Sequence, residues 1–420
     1  MRKNQFIIIL LFLIATNFKA QDTLNSFYVE SNSYKLYTEK NWTELIKFGN
    51  QAIKQDFDYY YLRIRLGIAY FESGNYYGAE RHFEKALSFN SDDELVLEYL
   101  YFCFIYTAHF EEAMKLSKTF NKQLTEKLKT DKTHPIGYVI AEGGVKTTDS
   151  TKILGNGNYF HIGLGHYIAK QFSLFHGLTY FSQTFADHYG SSGQATQFQY
   201  YLKATIPLKN NWQVLPGFHY ITKTTTFRIK NVQQILSPPP GLPPPPPQME
   251  TFRDSSANAN YFVGSITIRK SIYHFDFSIG ATASSVFGNN QIQNFANITY
   301  SPFKKDKLLL GLNGFIHSED NYSSSNFAMT PFVSVNPIPK LNLFCSYLYN
   351  GGGRNVVESN GYIVNNSTDL TSSRWSVIAS LAVTKQFDIY GLYQFETKEQ
   401  EYQKYAYHFN LFVLGVKFKP

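Results

Sequence analysis

The stretch Tyr273–Ser285, YHFDFSIGATASS, alternates in size and polarity along its whole length. Tyr273, Phe275, Phe277, Ile279, Ala281 and Ala283 take one side of an extended chain, and His274, Asp276, Ser278, Gly280, Thr282 and Ser284 take the other. Large apolar groups on one face and small polar ones on the other mark a strand that crosses a bilayer as part of a barrel. A soluble sandwich strand shows the same alternation over about five or six residues, and this stretch is longer than that.

Working outward, the chain beyond Pro135 reads as fourteen such strands. They fall at 136–147, 156–167, 171–184, 194–206, 212–225, 258–269, 273–285, 291–302, 307–317, 326–336, 341–350, 373–384, 387–397 and 404–418. Phe198, Tyr200, Leu202, Ala204 and Ile206 oppose Gln197, Gln199, Lys203 and Thr205, and Trp375, Val377, Ala379, Leu381 and Val383 oppose Arg374, Ser376, Ser380 and Thr384. The strands 136–147 and 261–269 alternate less clearly, so a count of twelve or sixteen is the alternative. Short links such as Ala169-Lys170, 207–211, 304–306, 336–339 and Lys385-Gln386 alternate with longer ones at 148–155, 185–193, 226–257, 319–325, 351–372 and 398–403. Outer-membrane barrels segregate turn length in this way, with short turns on the periplasmic side. A soluble β-protein has no reason to do so. The last strand ends on alternating Phe412, Leu414, Val416 and Phe418, and must close on the first, because no open sheet edge is tolerated in lipid.

The N-terminal third has a different period. From Ser26 to about Lys127 the apolar spacing is helical and repeats at 34 residues. In Tyr60–Asp93, residues Leu66, Gly67, Tyr70, Gly74, Tyr76, Ala79, Phe83 and Ala86 resemble the signature of the tetratricopeptide repeat (TPR). Leu97, Leu100, Phe104, Ala108, Phe110 and Ala113 repeat it downstream, and Leu36, Trp42, Leu45 and Ala52 repeat its second half upstream. The resemblance implies a three-repeat α-solenoid whose outer units are degenerate, as capping units are. It also implies a concave groove lined by Tyr34, Tyr37, Tyr61, Ile64, Ile68, Phe71, Phe102, Ile105 and Tyr106, which either holds a partner peptide or sugar rings, or packs on itself or against the barrel mouth.

The chain begins with Arg2 and Lys3 and an apolar run from Phe6 to Ala15, too short to span a bilayer as a helix and suited to a signal peptide cleaved after Ala20. The expected organisation is a signal peptide at 1–20, a periplasmic TPR-like domain at 21–130 and an outer-membrane β-barrel at 135–420, in a Gram-negative envelope. Removing Arg2, Lys3 and Lys19 from the 39 basic residues leaves 36 against 32 acidic, a net +4 that points away from nucleic acid. Cys103 and Cys345 fall in different domains, which argues against a disulfide or a metal site. The 32 Tyr and 37 Phe suit aromatic girdles at the two bilayer interfaces. Pro238–Pro247 is a polyproline arm in an external loop, either a contact or an insertion.

Candidate lumen-lining residues are Glu142, Lys146, Lys203, His274, Asp276, Arg374, Asp388 and Glu396. His176, His188, His219, His274, His317 and His408 are available as bases, but no motif links any of them to a serine, so catalysis and cofactors are not expected. A periplasmic TPR module ahead of a barrel resembles the YaiO-type outer-membrane proteins, and in architecture is similar to the export porins for cell-surface polysaccharides. That resemblance implies a pore or component for export or organisation of envelope polymers, with outer-membrane lipid, a periplasmic protein and polysaccharide as partners. The alternative is a non-conducting scaffold or surface-adhesion protein.

Overall fold

The computed structural model describes residues 25–107, 109–132, 135–150, 154–168, 172–186, 191–208, 211–231, 251–272, 274–286, 290–302, 307–319, 324–350, 357–358, 363–364, 369–399 and 405–420. The expected signal peptide, the polyproline arm, Tyr273, His188 and several of the turns lie outside these residues. The chain divides into two compact units, Met1–Cys103 and Phe104–Pro420.

In the first unit, α1 (Ser26–Thr38), α2 (Trp42–Lys54), α3 (Tyr60–Glu72) and α4 (Tyr76–Leu87) are followed by α5 (Glu94–Tyr106), inside which the division falls. Helices α1, α3 and α5 begin 34 residues apart. Asparagine starts three of the helices: Asn25, Asn41 and Asn75 accept the backbone N–H of Tyr28, Glu44 and Gly78. Each satisfies one of the donors that a helix start leaves open. The apolar faces meet in a core of Val29, Ala52, Leu62 and Leu66, against which Phe48, Ile53, Phe57 and Tyr59 pack.

The second unit holds two further helices, α6 (Phe110–Leu116) and α7 (Lys122–Leu128), and the barrel. Its strands are β1 (Ile136–Thr148), β2 (Leu154–Ile168), β3 (Phe172–Ala186), β4 (Ser192–Pro207), β5 (Trp212–Asn231), β6 (Thr251–Ile272), β7 (Phe275–Ser284), β8 (Gln291–Tyr300), β9 (Leu308–Glu319), β10 (Ser324–Ile338) and β11 (Leu341–Asn350). A two-residue ladder, β12 (Val357–Glu358) with β13 (Ile363–Val364), precedes β14 (Leu370–Ala382), β15 (Phe387–Glu399) and β16 (Ala406–Phe418).

Apart from that ladder, the strands form one closed antiparallel barrel of fourteen, each paired to its neighbour in the chain and β1 to β16 from Val139↔Phe418 to Thr148↔Phe409. Both barrel termini therefore lie at one end, the terminal end, and Thr148, Asn231 and Asn350 lead out of the opposite, loop end. The outward face carries the large apolar side chains: Ile162, Leu178, Phe198, Phe262, Ile266, Ile279, Ile316, Trp375, Phe412 and Leu414 are all exposed, Leu414 at 76 %. An apolar belt of that extent, carried around a closed barrel, is stable against lipid and not against water. In β7 itself Phe275, Phe277 and Ile279 point out, while Ser278 and Thr282 are buried on the inner face.

Four sequence expectations differ in detail. Strand β7 starts at Phe275, with His274 in the preceding turn. Strands β5 and β6 run about six residues further than read, because the polar SSANAN segment has no alternation of its own and is held by pairing, Thr225↔Ala257 through Asn231↔Thr251. Strand β15 continues through Lys398, which the sequence reading leaves in a loop. The inner face also holds large apolar groups: Phe295, Phe315, Ala328 and Leu348 form one cluster, and Ile221, Val263 and Val286 another. Gly280 makes room for the first, since a Cβ there would fall 2.3 Å from the Phe295 ring.

Candidate functional site at the terminal end of the barrel

Helix α6 is anchored to the barrel wall by its own first and last turns. Glu111 accepts a hydrogen bond from Ser173 Oγ at the start of β3, at 2.7 Å, and Glu112 accepts one from Gln213 Nε2 at the start of β5, at 2.8 Å. At the other end of the helix Lys115 Nζ donates to the carbonyl of Pro207, the last residue of β4, at 3.3 Å. Acids in the first turn and a lysine in the last also complement the helix dipole. All three contacts lie at the terminal end of their strands, so α6 covers that end over β3, β4 and β5.

Of these contacts the Glu112–Gln213 pair is buried, Glu111 is half-buried and Lys115 is exposed. Burial pushes the Glu112 carboxyl up from the usual carboxylate range, and holds the imidazole of His109, just before the helix, down at about 4. Glu112 Oε2 and Gln213 Oε1 each lack a hydrogen-bond partner among the described residues.

Against α6 lies a cavity of about 590 Å³. Phe110 and Glu111 line it from the helix; Tyr138, Ile140, Phe175, Tyr201, Lys203, Ile378, Asp388, Tyr390 and Lys417 line it from the wall. These come from β1, β3, β4, β14, β15 and β16, which meet around the closure of the barrel. A second hollow of about 760 Å³ at the loop end is walled by small and hydroxyl-bearing residues of β2 to β6, with Phe185, Phe227, Arg228 and Asp254.

The eight residues read as lumen-lining do not form one site. Lys203 and Asp388 line the cavity, where Asp388 pairs with Lys419 at 2.6 Å. Glu142 accepts from the hydroxyls of Tyr159 (2.9 Å) and Tyr390, tying β2 to β15. Lys146, Arg374 and Glu396 meet towards the loop end. There the Glu396 carboxylate faces Arg374 at 3.1 Å, Lys398 at 3.4 Å and Lys146 at 3.6 Å, and accepts from Thr371 at 2.7 Å. Asp276 pairs with Arg269 at 3.1 Å, and His274 stays in the turn beside it. Glu111, Glu112, Thr371 and Lys398 were not read from the sequence. The alternation Gln394, Glu396, Lys398 carries the signal for the last of them; nothing in the chain marks the two glutamates as wall contacts.

Of the nine groove candidates, Tyr34 and Tyr61 are exposed and flank the Arg65 guanidinium, 5.3 and 6.0 Å from the ring centres. Arg65 binds Glu30 at 2.6 Å and holds its carboxyl below the usual range. Tyr37 packs on Trp42, and Phe71 on Tyr76 and Tyr99. Ile68 is only 5 % exposed and belongs to the packing rather than to a surface. Ile64 and Phe102 are half-buried; Ile105, half-buried, and Tyr106, exposed, fall in the second unit.

No protein-family model matches this sequence, and no curated protein does. Solved structures do. The barrel is similar to the CymD monoaromatic hydrocarbon channel, at TM-score 0.45 and 8 % identity, over 74 % of this chain and 93 % of that one. A Pseudomonas aeruginosa FadL homologue matches at TM-score 0.43 and 7 % identity over 68 % of this chain and 90 % of the other. The P. putida toluene transporter TodX gives 0.43 and 7 % over 68 % and 91 %. These are outer-membrane β-barrel channels in fold, and the likeness is one of fold alone.

Proposed function

We propose that the chain is an outer-membrane channel whose periplasmic mouth is held shut by α6, and that it serves export or organisation of envelope polymers such as polysaccharide. The observation that carries this reading is the anchoring of α6. Three side chains on one short helix bind the ends of three consecutive strands, yet the helix adds nothing to the barrel's own hydrogen-bonded wall. An element attached in that way can leave without opening the sheet. The 34-residue spacing of helix starts, Ser26, Tyr60, Glu94 and Trp42, Tyr76, Phe110, supports reading the helices as TPR-like hairpins. On that reading α6 is the second helix of the third hairpin, and the exposed Tyr34 and Tyr61 are where a periplasmic partner docks.

A second reading, a non-conducting scaffold, is favoured by one observation. Towards the loop end the inner wall is filled by Thr371, Arg374, Glu396, Lys398, Tyr407 and Phe409, all buried. Recording single-channel currents in planar bilayers separates the two. The channel reading expects small or rare openings from the native chain and larger, longer ones from Glu111→Ala/Glu112→Ala, which frees α6 from β3 and β5. Silence from both proteins favours the scaffold.

A further inference from the structure

The cavity under α6 is neither a polar water channel nor an apolar void. Its walls are the rings of Phe110, Tyr138, Phe175 and Tyr390 with the aliphatic Ile140 and Ile378. Into this surface projects one ammonium without an answer: among the described residues Lys203 makes no hydrogen bond and no ion pair, and the charges that act on it are those of Arg269 and Glu111. The other charged groups are engaged. Asp388 is paired with Lys419, Glu111 accepts from Ser173, and the Lys417 ammonium lies 4.3 Å from the centre of the Tyr138 ring. Leaving a partly buried ammonium unpaired in an apolar setting is costly, and a group held so is matched by an anion that arrives with a ligand.

We infer that this cavity binds an organic monocarboxylate with an apolar, ring-sized body. One carboxylate answers Lys203; the rings and the two isoleucines take the apolar part, and about 590 Å³ lies within the usual size of a ligand pocket. A dianion is disfavoured, because Glu111, tied to Ser173 two residues along β3 from Phe175, the register neighbour of Lys203, lies near that ammonium and repels a second charge. A neutral molecule leaves the ammonium as it was. Glu111 also makes the site sensitive to the helix, since the incoming carboxylate and the Glu111 carboxylate compete for the same field. This inference stands apart from the channel reading, because it concerns binding and not passage.

Isothermal titration of the detergent-purified full chain tests it, with benzoate as probe, acetate as the acid without a body and benzyl alcohol as the body without an acid. Benzoate is expected to bind at least about tenfold tighter than either, a margin set by one charge-assisted hydrogen bond plus apolar burial. Lys203→Met should lose about tenfold or more, Lys203→Arg should retain binding, and Glu111→Gln should bind tighter than the native chain. Equal affinity for benzoate and benzyl alcohol, or unchanged binding in folded Lys203→Met, overturns the inference. If Lys203→Met does not give the heat-modifiable gel mobility of a folded barrel, Glu111→Gln decides: affinity equal to or below native overturns it. Benzoate binding without bilayer currents would uphold the site and count against the channel; currents without binding would do the reverse.

Discussion

Gly67 lies so close to the ring of Phe83 that a Cβ on it would fall 2.5 Å from Cε1. The closest atoms belong to a fully buried side chain that cannot swing away, so adding one methyl group forces α3 and α4 apart. Gly67→Ala should therefore destabilise the helical unit by about 1–3 kcal/mol, the usual cost of overpacking. The loss should show as an earlier helical melt of the full chain by circular dichroism, and a melt unchanged within error would mean that the helices do not meet there. The sequence carries this contact openly, because a small residue 16 positions before a phenylalanine in a 34-residue period is a packing statement. His82 shows the reverse. Nothing in its neighbourhood in the chain marks it as buried, yet it accepts from Arg63 at 3.1 Å and stacks on Tyr70, and burial holds its imidazole down at about 3. Arg63 in turn is fixed by Asp58 at 2.6 Å. Such pairs depend on which helix faces which, a matter the period of one helix does not contain.

At the scale of elements, α6 departs furthest from what its sequence suggests. Phe110 and Ala113 place it as the second helix of a third repeat, and that spacing is kept, but its polar residues spend their hydrogen bonds on β3, β4 and β5. No local pattern could show this, because Ser173, Gln213 and Pro207 lie far along the chain. The same limit explains β6, whose polar start is a strand only by virtue of β5. The docking of α6 carries a pH dependence whose sign follows from Glu112. Burial raises its docked pKa above the free value, so docking is unhindered below about 4.5, where a free glutamate already holds its proton, and weakens as pH rises through the raised value. His109 acts oppositely: its docked value of about 4 makes docking weaken as pH falls from about 6.5 towards 4. Glu112→Gln keeps the acceptor for Gln213, adds an N–H and removes the buried charge, which should favour docking at pH 7.5 by roughly 1 kcal/mol or more. Hydrogen exchange of 110–116 in the full chain is the measurement. Slower exchange in the variant at pH 7.5, converging with the native chain near pH 4.5, is the expected pattern, and faster exchange at pH 7.5 would show that the carboxylate is held by something other than Gln213.

For the whole molecule, the architecture was legible and the contents of the lumen were not. Fourteen strands, closure of the last on the first and both ends on one side follow from alternation and loop length, since lipid forbids an open edge and forces one face of every strand to be apolar. The inner face is free of that constraint, and so Phe295, Phe315 and Leu348 could turn inward on strands whose outer faces look like any other. The orientation of the barrel in the membrane rests on the same asymmetry. Short turns such as Pro339-Lys340 and 383–386 gather at the terminal end, while β5 and β6 extend past their neighbours at the loop end, carrying 232–250 between them. A long hairpin of polar and charged residues, with Arg228 opposite Asp254, is costly to leave in lipid and needs water on its far side. If the terminal end faces the periplasm, an epitope tag inserted near Pro243 should be labelled on intact cells, and one fused after Pro420 only once the outer membrane is permeabilised. The opposite pattern would turn the barrel over and place α6, with its cavity, at the cell surface.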